Sequence, residues 1–87
     1  MVDRTESIIK SDEGFVWRWE IGEVEVSNGD TITLGDFDSA QALTDVYLTK
    51  KNGGGEMTGT IALNVYTITG AGTNIDCFYW AYGYPSD

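Results

Sequence analysis

The segment NIDCFYWAYGYPSD, residues 74–87, carries aromatic side chains at five of its seven positions from 78 to 84. Successive side chains of a strand point to opposite faces, so a strand with one wet face alternates apolar and polar residues. This one does not. One parity holds Ile75, Cys77, Tyr79, Ala81 and Gly83; the other holds Asp76, Phe78, Trp80, Tyr82 and Tyr84. The small residues Cys77, Ala81 and Gly83 suit a packed interior, which sends Phe78, Trp80 and Tyr82 outward. Either a loop or the N-terminal segment covers this second face, or it docks on another subunit or a partner protein. A sugar-stacking platform is a third use for flat rings. Aromatics are enriched in interface cores, so docking is the preferred expectation. It names Phe78, Trp80, Tyr82 and Tyr84 as interface residues, with Tyr66 and Trp19 as neighbours.

The rest of the chain also has a period of two, in Thr, Val, Ile and aromatics punctuated by Gly, Asn and Asp. A strand is expected over 6–10, followed by a turn at SDEG, residues 11–14. FVWRWEI, residues 15–21, alternates cleanly. Phe15, Trp17, Trp19 and Ile21 read as the inward face, and the two tryptophans otherwise join Trp80 on the surface. Gly22-Glu23 reads as a tight reversal into a strand over 24–27. Asn28-Gly29 is a strong hairpin signal, because both residues tolerate positive φ. It leads to Ile32 and Leu34, both inward. Ser39 is placed to cap one helical turn ending near Leu43. A strand over 45–51 sets Val46 and Leu48 against Tyr47 and Thr49, and residues 52–56 form a loop tip. A second hairpin turns near Leu63-Asn64 into a strand over 65–69, with Tyr66 and Ile68 on one side. Residues 70–74 turn into the final strand, 75–83.

Seven or eight short strands in one sheet would leave an apolar face bare. The expected fold is therefore a single all-β domain over residues 1–87, a compact antiparallel β-sandwich that is jelly-roll-like or immunoglobulin-like. With 87 residues its core is thin, and one cysteine, Cys77, excludes an internal disulfide. Fourteen acidic against five basic residues give a formal charge of −9. That argues against nucleic acid as a partner, since phosphate neutralisation needs Lys and Arg. It fits a solvated acidic surface, a high-salt setting or a basic partner. No apolar run reaches the length of a membrane span, and no signal peptide is visible at the N-terminus.

Catalysis finds little to work with. There is no histidine, Cys77 lies in an apolar strand where a thiol stays protonated, and no cofactor motif is present. The glycines at 53–55 lack the Lys-Ser/Thr of a phosphate loop. Asp36 and Asp38 have an i, i+2 spacing used in some calcium loops, with Asp45 not far along the chain. The full loop pattern and its closing Glu are absent, so turn formation is the plainer role. The expectation is a non-enzyme without cofactor or metal.

SNGDTITLGDF (residues 27–37), VYLTKKNGGGEMT (46–58) and VYTITGAGTNIDCFYWAYG (65–83) together resemble small all-β proteins encoded among the structural genes of tailed viruses and proviruses. The matching elements are a GDT-plus-hydrophobic strand, a lysine-ending strand with its loop, a TITGAGT hairpin and a last strand ending in YG. The resemblance implies a virion component, such as a head decoration or cement protein or a tail or connector subunit. It implies a homo-oligomer or a capsid protein as partner, and a virion location after synthesis in the host cytoplasm. It brings no catalytic residues with it.

Overall fold

Two nine-residue strands in register form the spine of the molecule. The computed structural model describes residues 2–13, 17–69 and 72–86. In chain order its strands are β1 (Asp3–Arg4), β2 (Ser7–Glu13), β3 (Arg18–Val26), β4 (Thr31–Thr33), β5 (Asp45–Lys50), β6 (Glu56–Ala62), β7 (Val65–Thr69) and β8 (Ile75–Gly83). β3 and β8 pair antiparallel from Arg18–Gly83 to Val26–Ile75. No helix forms among the described residues; the helical turn expected after Ser39 is instead a turn at Ser39-Ala40 followed by a bend at Gln41, with the Asp38 carboxylate accepting the Ala40 N–H.

The strands make one eight-stranded ladder, in the order β1-β4-β7-β6-β5-β8-β3-β2. All neighbours run antiparallel except β1 and β4. Chain connectivity curls this ladder strongly. β1 and β2 are its opposite edges, yet only Thr5 and Glu6 join them. Three residue steps span at most about 11 Å, so the edges must approach each other, and the sheet becomes a half-barrel. β6 serves both halves: its start pairs with β5 and its remainder with β7. The ladder is thus continuous where two separate sheets were expected.

The concave side holds the core. Val24 and Val26 of β3, Ile32 of β4, Val46 and Leu48 of β5, Met57 of β6, Tyr66 and Ile68 of β7, and Cys77, Tyr79 and Ala81 of β8 meet there, closed off by Leu34, Phe37 and Leu43. The alternations expected for β5 and β7 are observed, with Val46, Leu48, Tyr66 and Ile68 on the buried sides, and the inward sides expected for β8, Ile32 and Leu34 are those observed. The turn at Leu63-Asn64 also stands where expected, with Leu63 at φ 55°.

β3 overturns two expectations. It runs straight through Gly22-Glu23, with no reversal. Its buried residues are Arg18, Glu20, Gly22, Val24 and Val26, while Trp17 and Ile21 are exposed and Trp19 is half-buried. Phe15 and Val16 lie outside the described residues. The cause is a period of two held over nine residues: once Val24 and Val26 face inward, the tryptophans must face out. Gly22 is needed for space. The Tyr79 ring crosses it, and a Cβ there would collide with that ring and with the Ser7 carbonyl. Tyr79 can then donate its hydroxyl to the Glu20 carboxylate, whose other oxygen accepts from Arg18 Nη2 at 3.2 Å. Burial, reinforced by Glu20, drives the Tyr79 phenol far above its ordinary pKa, so the proton stays on the ring oxygen. A buried carboxylate is tolerable only when paired in this way. Gly59 makes room for the Tyr66 ring on β6 in the same manner.

Two further corrections concern turns. Ser11, Asp12 and Glu13 continue β2 rather than turning, and Gly14 lies outside the described residues. Asn28-Gly29 does form a tight turn, with Gly29 at φ 88°, but it is not a hairpin. β3 pairs with β2 and β8, and β4 with β1 and β7. The turn is the corner that carries the chain between the halves of the ladder. Asp30 pins that corner: its carboxylate accepts from Ser27 N at 2.8 Å, Val2 N at 3.2 Å and Arg4 Nε at 2.6 Å. Arg4 reaches on to Ser27 Oγ and Asn74 Oδ1, so one side chain ties β1 to both ends of the spine's open end.

Two outcomes are expected. Gly22→Ala should lower the free energy of unfolding by about 1–3 kcal/mol, the usual cost of overpacking. Gly35→Ala, where an added Cβ would meet nothing within 4 Å, should leave the urea midpoint in place. The second concerns acid. Burial alone would raise the Asp30 pKa, but the bonds from Ser27, Arg4 and Val2 outweigh it and hold it below the ordinary 3.8. Its stabilisation is complete above the unfolded value and is lost as pH falls through the folded one. Below about pH 4 the wild type should therefore lose melting temperature faster than Asp30→Asn, which lacks the ion pair at every pH.

Candidate aromatic docking face

The residues that β3 and β8 turn away from the core share the convex face with the outward side of β5 and β2. The registers lay them out in rungs. Asp12, Trp19, Tyr82 and Asp45 form the first. Lys10, Ile21, Trp80 and Tyr47 form the second, and Ser7, Glu23, Phe78 and Thr49 the third. The centre is apolar and the flanks carry charge.

The rings touch one another in a chain. Tyr47 stacks on Trp80 at 5.4 Å between centroids, and Trp80 meets Tyr82 at 4.7 Å. Tyr82 meets Trp17 at 5.9 Å, and Trp17 stacks on Tyr84 at 5.4 Å. Aromatic pairs at these spacings each add about 0.5–1.5 kcal/mol beyond the area they bury, so the ridge is held in place by its own contacts. It is nonetheless wet. Trp17 is 46%, Phe78 45% and Tyr47 42% exposed, and Trp19, Trp80, Tyr82 and Tyr84 are half-buried. No other segment among the described residues lies over them.

Of the residues expected at an interface, Phe78, Trp80, Tyr82, Tyr84 and Trp19 lie on this one face. Tyr66 does not. It is only 4% exposed and belongs to the inward side of β7. Trp17 and Tyr47 complete the ridge and were not among the expected residues. The alternation of Tyr47 against Val46 and Leu48 already placed it outward. Trp17 was hidden by the reversed parity assigned to its strand.

At one end the face holds a cation of its own. Lys51 Nζ lies 2.5 Å from Glu23 Oε2 and 5.0 Å from the centre of the Phe78 ring. Glu23, foremost through its bond to the amine, raises the Lys51 pKa. Nearby, Glu25 stands directly across from Asp76; Arg4 pairs with Glu25 at 3.3 Å, and the charge of Asp76 adds to the rise of the Lys51 pKa.

Asp36 and Asp38, whose spacing is also found in some calcium loops, do not converge with Asp45. Asp36 accepts from Arg18 Nη2 at 3.3 Å, Asp38 caps Ala40 N, and Asp45 accepts its neighbour's N–H from Val46. Among the described residues no three Asp, Glu, His or Cys side chains gather closely enough to share a metal ion. Cys77 is buried, and desolvation first, then Asp76, pushes its thiol pKa up. A cavity of about 310 Å³ lies by the Thr5–Glu6 link and is lined by Asp3, Glu6, Glu20 and Asp36 beside Arg4. Burial raises the Glu6 pKa, with those three carboxylates adding to it.

An acidic rim around exposed indoles has an optical signature. Caesium ion should quench tryptophan emission more strongly than iodide, each normalised to free N-acetyltryptophanamide, by ~2-fold or more at low ionic strength. The gap should close in roughly 1 M salt, where the Debye length is about 3 Å. Equal normalised quenching at low salt would mean that the rings do not sit in a negative field. Comparison with known proteins finds no family model, no curated protein and no solved structure that matches this chain.

Proposed function

We propose that this chain is a non-enzymatic structural protein that docks on a protein partner, or on copies of itself, through its convex aromatic face. The observation that carries the proposal is the contiguous exposed ridge Tyr47–Trp80–Tyr82–Trp17–Tyr84. Exposed aromatic patches on a small domain mark interaction sites. A stable interface buries about 800 Å² per partner, and a fully buried aromatic contributes about 150–250 Å², so these rings with Phe78 and Ile21 are enough for its centre. Pre-stacked rings also lose little side-chain entropy on docking. The sequence's likeness to virion decoration, cement and connector proteins supports a capsid or tail as the larger assembly.

A carbohydrate platform is the second reading, favoured by the number of rings alone. Sugars stack on open ring faces. Here Tyr47 covers part of Trp80 and Tyr84 part of Trp17, while Trp80–Tyr82 and Tyr82–Trp17 are tilted by 44° and 51°. The ridge offers edges and corners more than a flat floor.

Light scattering on the purified chain, alone and mixed with the capsid or tail assembly of its source, tests the proposal. Trp80→Ser with Tyr82→Ser should abolish the association while leaving the far-ultraviolet dichroism unchanged, because neither side chain reaches the core. A wild-type chain that stays monomeric and binds no assembly would overturn it. Tryptophan emission that shifts with oligosaccharide would select the second reading.

A further inference from the structure

Beside the ridge the barrel wall has a window. β5 pairs with β8 over its whole length, but with β6 only at Leu48–Met57 and Thr49–Glu56. Beyond that point β6 swings away to pair with β7. The gap closes again at its other end, where Leu43 N–H donates to the Leu63 carbonyl at 3.0 Å. The space between is a cavity of about 290 Å³. Met57, Ile61 and the otherwise buried Tyr66 line its interior, and Asp45, Tyr47 and Glu56 stand at its mouth.

The chemistry of this window is specific. Among the described residues neither Asp45 nor Glu56 pairs with a lysine or arginine, although the chain makes such pairs elsewhere. Tyr47 belongs to the ridge and faces the same opening. Asp45, by hydrogen bonding first and then by its charge, raises the Tyr47 phenol pKa, so carboxylate and hydroxyl are close neighbours. An apolar interior with a ring and two carboxylates at the rim matches a side chain that has an aliphatic stem and a cationic head. The molecule already builds the arrangement once, at Lys51 between Glu23 and Phe78. The closed ends leave no room for a strand to add along β5, so a single side chain is the fitting occupant.

We infer that this window receives one lysine or arginine side chain of a different protein, the basic anchor of the partner that covers the ridge. The inference rests on the docking role and names the partner's chemistry. Charge complementarity favours a basic partner over a second copy, because two copies bring −9 against −9. An anionic group is refused by Asp45 and Glu56.

The test uses the full chain and a small probe. Nα-acetylarginine amide is titrated against the methyl signals of Met57 and Ile61, with Nα-acetylcitrulline amide as its neutral counterpart. Saturable shifts at these methyls are expected with the arginine probe only. Asp45→Asn with Glu56→Gln should weaken binding ~10-fold or more, since two charged contacts are lost. Asp12→Asn with Asp76→Asn removes the same net charge away from the window and should leave it unchanged. Equal shifts from the citrulline probe, equal losses in both double variants, or no saturable shift would overturn the inference. So would self-association of the wild type that Lys10→Gln abolishes, since the occupant is then a second copy. Trp80→Ser with Tyr82→Ser should still bind the probe, which separates failure of the window from failure of the ridge.

Discussion

The nine registered pairs between β3 and β8 govern the rest of this protein. A paired strand has only two faces, and a side chain that faces the core at one end of an uninterrupted strand commits every second residue along it. Val24 and Val26 on one strand and Cys77 and Ala81 on the other face the core. Trp17, Trp19, Trp80 and Tyr82 are therefore sent to the convex side. The inward positions left over at the far end are taken by Arg18 and Glu20, polar residues that an apolar core would reject. Tyr79, Asp36 and the Phe37 ring make them acceptable, with the Arg18 guanidinium 5.7 Å from the ring centre. The protein holds charge inside and rings outside along this strand, and the parity explains both.

Closure follows from a second constraint, the short tether between the ladder's edges. With only Thr5 and Glu6 between β1 and β2, the sheet cannot lie open. Curling brings Arg4 to Asp30, Ser27 and Asn74. It also buries Glu6, which raises its pKa, and crowds it among Glu20, Asp36 and Asp3, which add to the rise. The fold thus sets one carboxylate, Asp30, in a site that favours its charge and another, Glu6, in a site that resists it. Curling also parts β5 from β6, because β6 must follow the bend into the other half of the ladder. The window beside the aromatic ridge is a geometric by-product of that bend. Its lining of Met57, Ile61 and Tyr66 consists of core residues seen from outside.

In the docking role proposed above, ridge and window give the convex face a division of labour. Stacked rings offer area that is already ordered, and the carboxylates around them select the sign of what lands there. With a formal charge of −9, an aromatic face would still repel a like-charged surface at distance. Attraction to a basic one draws on the same field. The ion pair of Lys51 with Glu23 over Phe78 fills one aromatic–carboxylate position from within; the position at Asp45, Tyr47 and Glu56 has no such internal cation among the described residues and, on the inference drawn above, is filled from outside.

Local period and turn chemistry were sufficient to read much of this in the residues. The outward set Phe78, Trp80, Tyr82 follows from Cys77, Ala81 and Gly83 being small; the alternation of Val46-Tyr47-Leu48 and of Tyr66-Thr67-Ile68 follows from one face being buried; and Leu63-Asn64 follows from two apolar runs needing a short reversal. These features depend on neighbours in the chain. Other features depend on partners far away in it. Gly22 looks like a turn until the Tyr79 ring, 57 positions later, is seen to need the space that it leaves. Asn28-Gly29 looks like a hairpin until β3 and β4 are seen to prefer other neighbours. Breaking β3 at Gly22 cut the tryptophans off from Val24 and Val26, and so reversed their face. Sequence alone determined which side of each unbroken strand is apolar, because that is set two residues at a time. Tertiary structure decided which strands are one, which lie side by side and where the wall opens, because those depend on contacts whose loop-closure cost and packing gain no local pattern records.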